Sequence, residues 1–144
     1  MMPGRQWRNT SIRRTYPSTV ENVDDFCAEI TQAMREHGLT NDIFAVELLA
    51  REAMTNAILH GNDCQEDKRV CIMFRIIKDM VIIRVTDEGK GFDWLSMPCC
   101  APDSAKASGR GLKIYSMYAS RIAFSRRGNS VILSRRISKR KTDG

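Results

Sequence analysis

The chain lacks long hydrophobic runs, and this absence excludes a membrane-spanning helix. None of its apolar stretches approaches the roughly 18 consecutive residues that such a helix requires. The N-terminal segment, residues 1–8, also lacks the apolar core of a signal peptide. From these two absences we expect a cytoplasmic protein with no membrane partner.

Cysteines are present, but they lack the spacing of a metal site or a disulfide framework. Their number, five, is odd, and no pair of them matches a structural zinc motif. This pattern favours a reducing compartment, in agreement with a cytoplasmic location. We interpret the adjacent Cys99 and Cys100 as incidental thiols rather than as a redox site.

Acidic residues are scarce at both ends of the chain, so the net charge of +6 is unevenly distributed. Residues 1–14 contribute +4 and residues 121–144 contribute +7, whereas residues 15–120 carry −5. Basic ends of this kind are able to contact nucleic acid or an acidic protein. We favour solvated tails, because the aromatic residues that interleave with basic ones in nucleic-acid binders are missing. Nucleic acid is therefore not an expected partner.

Length and composition indicate one domain covering residues 1–144, with basic tails at both ends. Hydrophobic residues make up 42% of the chain, enough for a single core. We find no internal repeat, no low-complexity segment and no linker that would separate two domains.

Two helices are predicted in the first half of the chain. Ser18 and Glu21 have the spacing of a capping box that opens the first helix, and Gly38 is a suitable end. Apolar residues recur within it at helical spacing: Val23, Phe26, Cys27, Ile30, Ala33 and Met34. The second helix ends near Gly61, and one of three polar residues is expected to cap its start: Thr40, Asn41 or Asp42.

Strands are predicted around these helices. Residues 6–16 form a weak candidate for a first strand. Residues 69–77 and 80–87 alternate between apolar and polar positions, which is typical of strands with one buried face. The intervening Lys78 and Asp79 suit a tight antiparallel turn.

The last third of the chain is predicted to contain a loop, a helix and a hairpin. The loop covers residues 94–108 and the helix about 110–119. The hairpin pairs residues 121–127 with 130–137 through a two-residue turn at Gly128-Asn129. We therefore predict an α/β fold, a two-layer sandwich of a mixed, mostly antiparallel sheet with helices on one face.

The second helix carries a polar stripe on an otherwise apolar surface. Glu52, Asn56 and His60 are spaced at i, i+4 and i+8, so they lie on one side of the helix. A carboxylate, an amide and an imidazole aligned on so apolar a helix indicate a site rather than a solvated face.

Two glycine motifs follow this helix. Asp87-Glu-Gly89-Lys-Gly91 comes directly after a predicted strand, and Gly109-Arg-Gly111 comes directly before a predicted helix. Glycines let a backbone turn sharply and approach a ligand closely, and a helix N-terminus attracts phosphate. The predicted loop between the motifs is expected to act as a lid.

Taken in this order, the three motifs resemble the ATP site of the GHKL (HATPase) superfamily. Among its members, the chain most resembles the anti-sigma factor serine/threonine kinases of the RsbW type. The resemblance rests on the pattern Glu-Ala-x-x-Asn-Ala-x-x-His-Gly-Asn over residues 52–62 and on the two glycine motifs. It spans about residues 17–137 and implies the Bergerat ATP-binding fold, with ATP and Mg²⁺ as cofactors.

The resemblance also implies roles for individual residues. Glu52 would act as the catalytic base and Asn56 as the metal ligand; a neutral amide oxygen suits Mg²⁺ that is already bound to phosphates. The nucleotide would be bound by Asn56 and ten further residues: Asp87, Gly89, Gly91, Phe92, Ser108, Gly109, Arg110, Gly111, Leu112 and Ser130. Asp87 would accept a hydrogen bond from the exocyclic amine of adenine.

Several of these assignments have open alternatives. Glu52 alone would be interpreted as a surface carboxylate paired with Arg51 or Lys68, and His60 as a residue that caps the helix end. Arg110 is equally suited to bind phosphate or to face solvent. Ser130 stands where the family usually has a threonine, so it either supplies that hydroxyl or one contact to the base is missing.

The resemblance implies a partner-switching kinase, usually a homodimer. Such a kinase phosphorylates a STAS-domain antagonist and sequesters a sigma factor or a similar regulator. The alternative is an ATP-gated binding module that transfers no phosphate. A histidine-kinase catalytic domain shares the nucleotide site, but no phosphoacceptor helix pair is visible in the sequence.

Overall fold

The computed structural model describes residues 9–90 and 113–138. Its elements follow one another in the order β1 (Thr10–Pro17), α1 (Glu21–Glu36), α2 (Ile43–Asn56), β2 (Arg69–Ile77), β3 (Met80–Thr86), α3 (113–118), β4 (Arg121–Phe124) and β5 (Ser130–Arg136). A 3₁₀ turn, Thr40–Asp42, leads into α2, and a π-helical turn, Ala57–Gly61, continues α2 towards β2.

The five strands form one sheet in the order β1-β2-β3-β5-β4. Every neighbouring pair within the described residues is antiparallel. Lys78 adopts a positive φ of 52° in the tight turn between β2 and β3, as the predicted hairpin requires. The predicted α/β fold with helices on one face is confirmed, although the described strands include no parallel pair.

One face of the sheet and the inner faces of α1 and α2 enclose the core. Alternate residues of β2 are buried, which confirms the period-two pattern: Val70, Ile72, Phe74 and Ile76. The six apolar residues that predicted α1 are also all buried. Burial of this stripe against the sheet, rather than intrinsic helix propensity, holds α1 in place.

The N-terminal caps predicted for the two helices are wrong, whereas the predicted end of α1 is confirmed: Gly38 follows the helix with a positive φ of 69°. No side chain caps either α1 or α2. Ser18 pairs its backbone N–H with the Lys68 carbonyl at 3.0 Å and so extends the edge of the sheet. Its buried hydroxyl has no hydrogen-bond partner among the described residues. The sheet contact therefore overrides the local capping pattern.

The predicted two-residue turn between β4 and β5 is also wrong. The Ser125 N–H donates to the Ser130 carbonyl at 2.8 Å, so the loop contains four residues, 126–129. Gly128 adopts a φ of 79°, and its N–H closes a turn onto the Ser125 carbonyl. The Ser125 hydroxyl donates to Asn129 Oδ1 and accepts from the Ser130 N–H. This side-chain network ends β4 earlier than the alternation predicts.

One arginine of the basic C-terminal segment, residues 121–144, is part of the folded domain. Arg135 lies in β5 and forms an ion pair at 3.1 Å with Asp42, whose side chain is only 2% exposed. The Ser138 hydroxyl donates to the same carboxylate at 2.8 Å. Arg135 is therefore a structural residue that joins β5 to the start of α2, and not part of a solvated tail.

Replacing Arg135 with methionine is expected to lower the free energy of unfolding by about 3 kcal/mol, because it leaves the buried Asp42 carboxylate without its counter-ion. Arg136→Met is the matched control, since Arg136 is exposed and 3.8 Å from Asp79. We expect that control to cost less than about 1 kcal/mol. Urea unfolding measures the loss of stability in both variants. Equal losses would mean that the buried Arg135–Asp42 pair stabilises the fold no more than the exposed Arg136–Asp79 pair.

Several sequence predictions fall outside the described residues. They concern the loop at 94–108, the first residues of the helix predicted over 110–119, and the ends of the chain. The remainder of that helix is present as α3. Within the described part of the chain, no helix is long and apolar enough to cross a bilayer.

Candidate functional site

A cavity of about 150 Å³ opens where the end of α2, the end of β3, α3 and the β4–β5 hairpin meet. Its walls are formed by Ala53, Asn56, Ala57, His60, Gly61, Val85, Asp87, Tyr115, Phe124, Gly128, Asn129, Ser130 and Val131. The cavity therefore combines two residues of the polar stripe with Asp87 and Ser130, although these lie far apart in the sequence.

Asn56 is the last residue of α2 and faces the cavity. Its amide nitrogen donates to the Tyr115 hydroxyl across a distance of 3.1 Å. With the nitrogen directed at Tyr115, the amide oxygen is the end of the side chain left to accept from or coordinate another group. An oxygen of this kind is a suitable ligand for Mg²⁺.

Glu52 lies one turn before Asn56 and is half-buried. Arg51 forms its ion pairs with Asp24 and Glu47, at 2.7 and 3.3 Å, which counts against the interpretation of Glu52 as its surface partner. Burial raises the pKa of Tyr115, the hydrogen bond with Asn56 lowers it, and the Glu52 carboxylate raises it.

Asp87 follows β3 and is held by backbone and side-chain contacts. Its Oδ1 accepts the Gly89 N–H at 2.8 Å. Asn129 accepts the Asp87 N–H at its carbonyl, at 2.9 Å, and donates from its side chain to the Asp87 carbonyl at 3.1 Å. Burial raises the pKa of Asp87, while the Gly89 bond and the charges of Lys68 and Arg127 lower it.

Gly61 and Gly89 are required by close packing around Asp87. A Cβ atom at Gly61 would overlap the Asp87 carboxylate, with Oδ1 at 2.7 Å and the other carboxylate atoms nearer still. A Cβ atom at Gly89 would overlap the Gly61 carbonyl. The missing side chains therefore allow the end of the π turn and the turn after β3 to meet.

Gly61→Ala is expected to destabilise the fold by about 1–3 kcal/mol, because the new methyl group must displace the Asp87 side chain. Urea unfolding of the single variant measures this cost. The control is the same substitution in an Asp87→Ala background, where the overlapping carboxylate is absent. The cost should then fall by more than half; an unchanged cost would show that the carboxylate is not the obstacle.

Asn62 is a structural residue of the site that the residue assignments missed. It is fully buried. Its Oδ1 accepts the Glu88 N–H at 2.8 Å, and its Nδ2 donates to the Arg69 carbonyl at 2.9 Å. Asn62 thus ties the end of the π turn to β2 and to the turn that contains Asp87. Its position as the last residue of the pattern over residues 52–62 could have identified it from the sequence.

Asn129 was also missed as a site residue, because the sequence suggested only a role in the turn. Its two bonds to Asp87 connect the β4–β5 hairpin to the end of β3. Ser130 lies directly opposite Thr86, and their hydroxyls are 2.8 Å apart. Ser130 lines the cavity, and its contact with a bound base remains a prediction.

His60 lies in the π-helical turn and lines the cavity. Seven predicted site residues lie outside the described part of the chain: Gly91, Phe92, Ser108, Gly109, Arg110, Gly111 and Leu112. The structure therefore brings together Asn56, Asp87 and Ser130 around the cavity, with Gly89 beneath Asp87 and Glu52 one helical turn from Asn56.

The cavity has the chemistry required for a purine nucleotide. Apolar side chains form the wall beside Asp87, including Val85, Ala57 and Val131. A purine offers a flat apolar surface and an amine donor, which match these walls and a partly buried carboxylate acceptor. Asn56 lies on α2 at a separate position in the same cavity, so a phosphate-bound metal has an oxygen ligand available.

Comparisons with known proteins agree with this geometry. A profile of the family described as "Histidine kinase-like ATPase domain" matches residues 16–135, which include all the elements around the cavity. Anti-sigma F factors from Clostridium perfringens strains SM101, ATCC 13124 and 13 are each 36% identical to the chain over 72 residues. Each match covers 50% of this chain and 47% of the relative. The chain thus spans about half the length of the curated relatives it matches.

Proposed function

Because the chain belongs to the family of histidine kinase-like ATPase domains, we propose that it is an ATP-dependent serine/threonine protein kinase that also acts as an anti-sigma factor. The observation that carries the proposal is the convergence of Asn56 and Asp87 on one cavity from separate elements. Its protein substrate would be a STAS-domain antagonist, and its sequestered partner a sigma factor or a similar regulator.

The adenine base would bind at the end of the cavity near β3. There Asp87 would accept a hydrogen bond from the exocyclic amine. The Gly89 N–H orients the Asp87 carboxylate, and Asn129 holds the Asp87 backbone. The apolar wall excludes water from this bond, which strengthens it. Ser130 would contribute from the hairpin.

The phosphates would lie towards the end of α2. Mg²⁺, held by Asn56, would supply charge neutralisation at the phosphates. Glu52, one turn earlier on the same face of the helix, would accept the proton of the attacking serine or threonine hydroxyl. The glycine motif at residues 109–111 would hold the phosphates with backbone N–H groups.

The proposed partners follow from the relatives and from the motif resemblance. The matched relatives are named anti-sigma F factors, which supports a sigma factor as the sequestered protein. The STAS-domain substrate and the homodimeric state are carried over from the RsbW-type resemblance and complete the proposed partner-switching system.

Phosphotransfer to each STAS-type protein of the same genome tests this proposal. The intact chain is incubated with labelled ATP, Mg²⁺ and one candidate at a time, and the label is mapped by mass spectrometry. We expect one candidate to gain phosphate on a serine or threonine. ATP-dependent binding of a partner without any label would instead identify an ATP-gated binding module.

A further inference from the structure

A buried tyrosine on another helix contacts the proposed metal ligand. Tyr115 lies in α3 and is only 4% exposed. Its hydroxyl oxygen accepts the hydrogen bond from Asn56 Nδ2 at 3.1 Å. The functions proposed above for Glu52, Asn56 and Asp87 leave Tyr115 without a role.

This hydrogen bond holds the Asn56 side chain with Nδ2 towards Tyr115, which leaves Oδ1 as the other polar end of the amide. The last torsion of an asparagine side chain is broad and nearly two-fold, so oxygen and nitrogen exchange places easily without a partner. A flipped amide would direct two N–H donors at a cation. A phenol hydroxyl is able to accept as well as donate. When Oδ1 faces a cation, the Tyr115 hydroxyl can therefore accept from Nδ2, and both ends of the amide then have a partner.

We propose that Tyr115 is a positioning residue that orients Asn56 for Mg²⁺, an inference that rests on the proposed function. Removing a group that forms a hydrogen bond to a metal ligand typically weakens metal affinity by about 10- to 100-fold. Because Tyr115 belongs to α3 and Asn56 to α2, the bond also couples the position of α3 to metal binding.

Tyr115 brings no charge to the site, because a tyrosine phenol is ordinarily neutral at physiological pH. A neutral phenol does not compete with Asn56 for the cation. It also adds no negative charge beside Glu52.

The test compares the parent protein with Tyr115→Phe and with Tyr118→Phe, a control on the same helix. Affinity for a non-hydrolysable ATP analogue is measured by calorimetry across a Mg²⁺ titration and in EDTA. For Tyr115→Phe, the Mg²⁺ concentration at half-saturation should rise about 10- to 100-fold, while affinity in EDTA changes less than about twofold. Tyr118→Phe should leave both values near those of the parent.

Two results would overturn the inference. An unchanged Mg²⁺ requirement would show that Tyr115 does not orient the ligand, and an equal loss with and without Mg²⁺ would show that it merely packs the cavity. If the parent itself fails to bind the analogue, the proposed function fails, which is a distinguishable outcome.

A measurement on the nucleotide-free protein does not depend on the variants folding. The side-chain amide protons of Asn56, observed in ¹⁵N spectra, should exchange slowly with water in the parent, because one of them is bound to a buried oxygen. Exchange as fast as that of an exposed asparagine such as Asn41 would contradict the hydrogen bond on which the inference rests.

Discussion

Replacing Asp87 with asparagine is expected to weaken ATP binding by about 10- to 150-fold, the effect of losing about 1.5–3 kcal/mol from a hydrogen bond to a charged group. One carboxylate oxygen, Oδ1, already accepts the Gly89 N–H. An asparagine that preserves this bond must place its NH₂ group where Oδ2 was. That group is a donor facing the amine donor of adenine, so the base loses its acceptor.

The same substitution should leave the nucleotide-free fold at least as stable as the parent. Burial raises the pKa of Asp87, so the folded protein binds this proton more readily than the unfolded chain does. The carboxyl group's favourable effect on folding is therefore present at acid pH and is lost as the pH rises through the folded pKa. At neutral pH the ionised group opposes folding, and a neutral asparagine removes that cost.

Calorimetry with ATP and urea unfolding of the same samples test both halves of this expectation. Asp79→Asn is the matched control, because Asp79 is an exposed carboxylate in the turn between β2 and β3. It should alter neither quantity appreciably. Tight ATP binding by Asp87→Asn would remove Asp87 from the site, whereas a large loss of stability would assign it a structural role.

Replacing Glu52 with glutamine is expected to lower phosphotransfer by about 10²- to 10⁴-fold, the usual contribution of a general base, while ATP affinity stays nearly unchanged. The amide retains the size of the side chain but cannot accept the hydroxyl proton. The binding proposed for adenine at Asp87 and for the metal at Asn56 does not require the Glu52 charge.

Single-turnover transfer to the proposed STAS-domain substrate, measured beside ATP affinity, separates these effects. Glu47→Gln, on the same helix and paired with Arg51, controls for loss of a carboxylate on α2. That variant should transfer phosphate at a rate close to the parent's. A Glu52→Gln variant that retained full activity would exclude Glu52 as the base.

Local periodicity predicted the elements of this fold well. The alternation in residues 69–77 and the stripe of α1 depend on burial against one layer, and burial imposes the same period wherever it occurs. Predictions based on local hydrogen bonding were less successful. The capping box at Ser18 was wrong because that residue pairs with Lys68 at the sheet edge instead.

The contacts that complete the site join residues far apart in the sequence. Asn62 bonds to Glu88, Asn129 to Asp87, and Tyr115 to Asn56. No spacing rule encodes such pairs, because they form only when the sheet brings separate elements together. The polar stripe on α2 and the Asp-Glu-Gly turn after β3 were predictable because the functional groups of each lie within a short segment of the sequence.

Titration calorimetry of the intact, folded chain with ATP and Mg²⁺ tests the central claim most directly. The account predicts saturable heat at one nucleotide per chain, with a dissociation constant well below about 1 mM, and a dissociation constant about 10- to 150-fold higher for Asp87→Asn. The absence of any heat with adenine nucleotides at about millimolar concentration, in a sample shown to be folded, would contradict it.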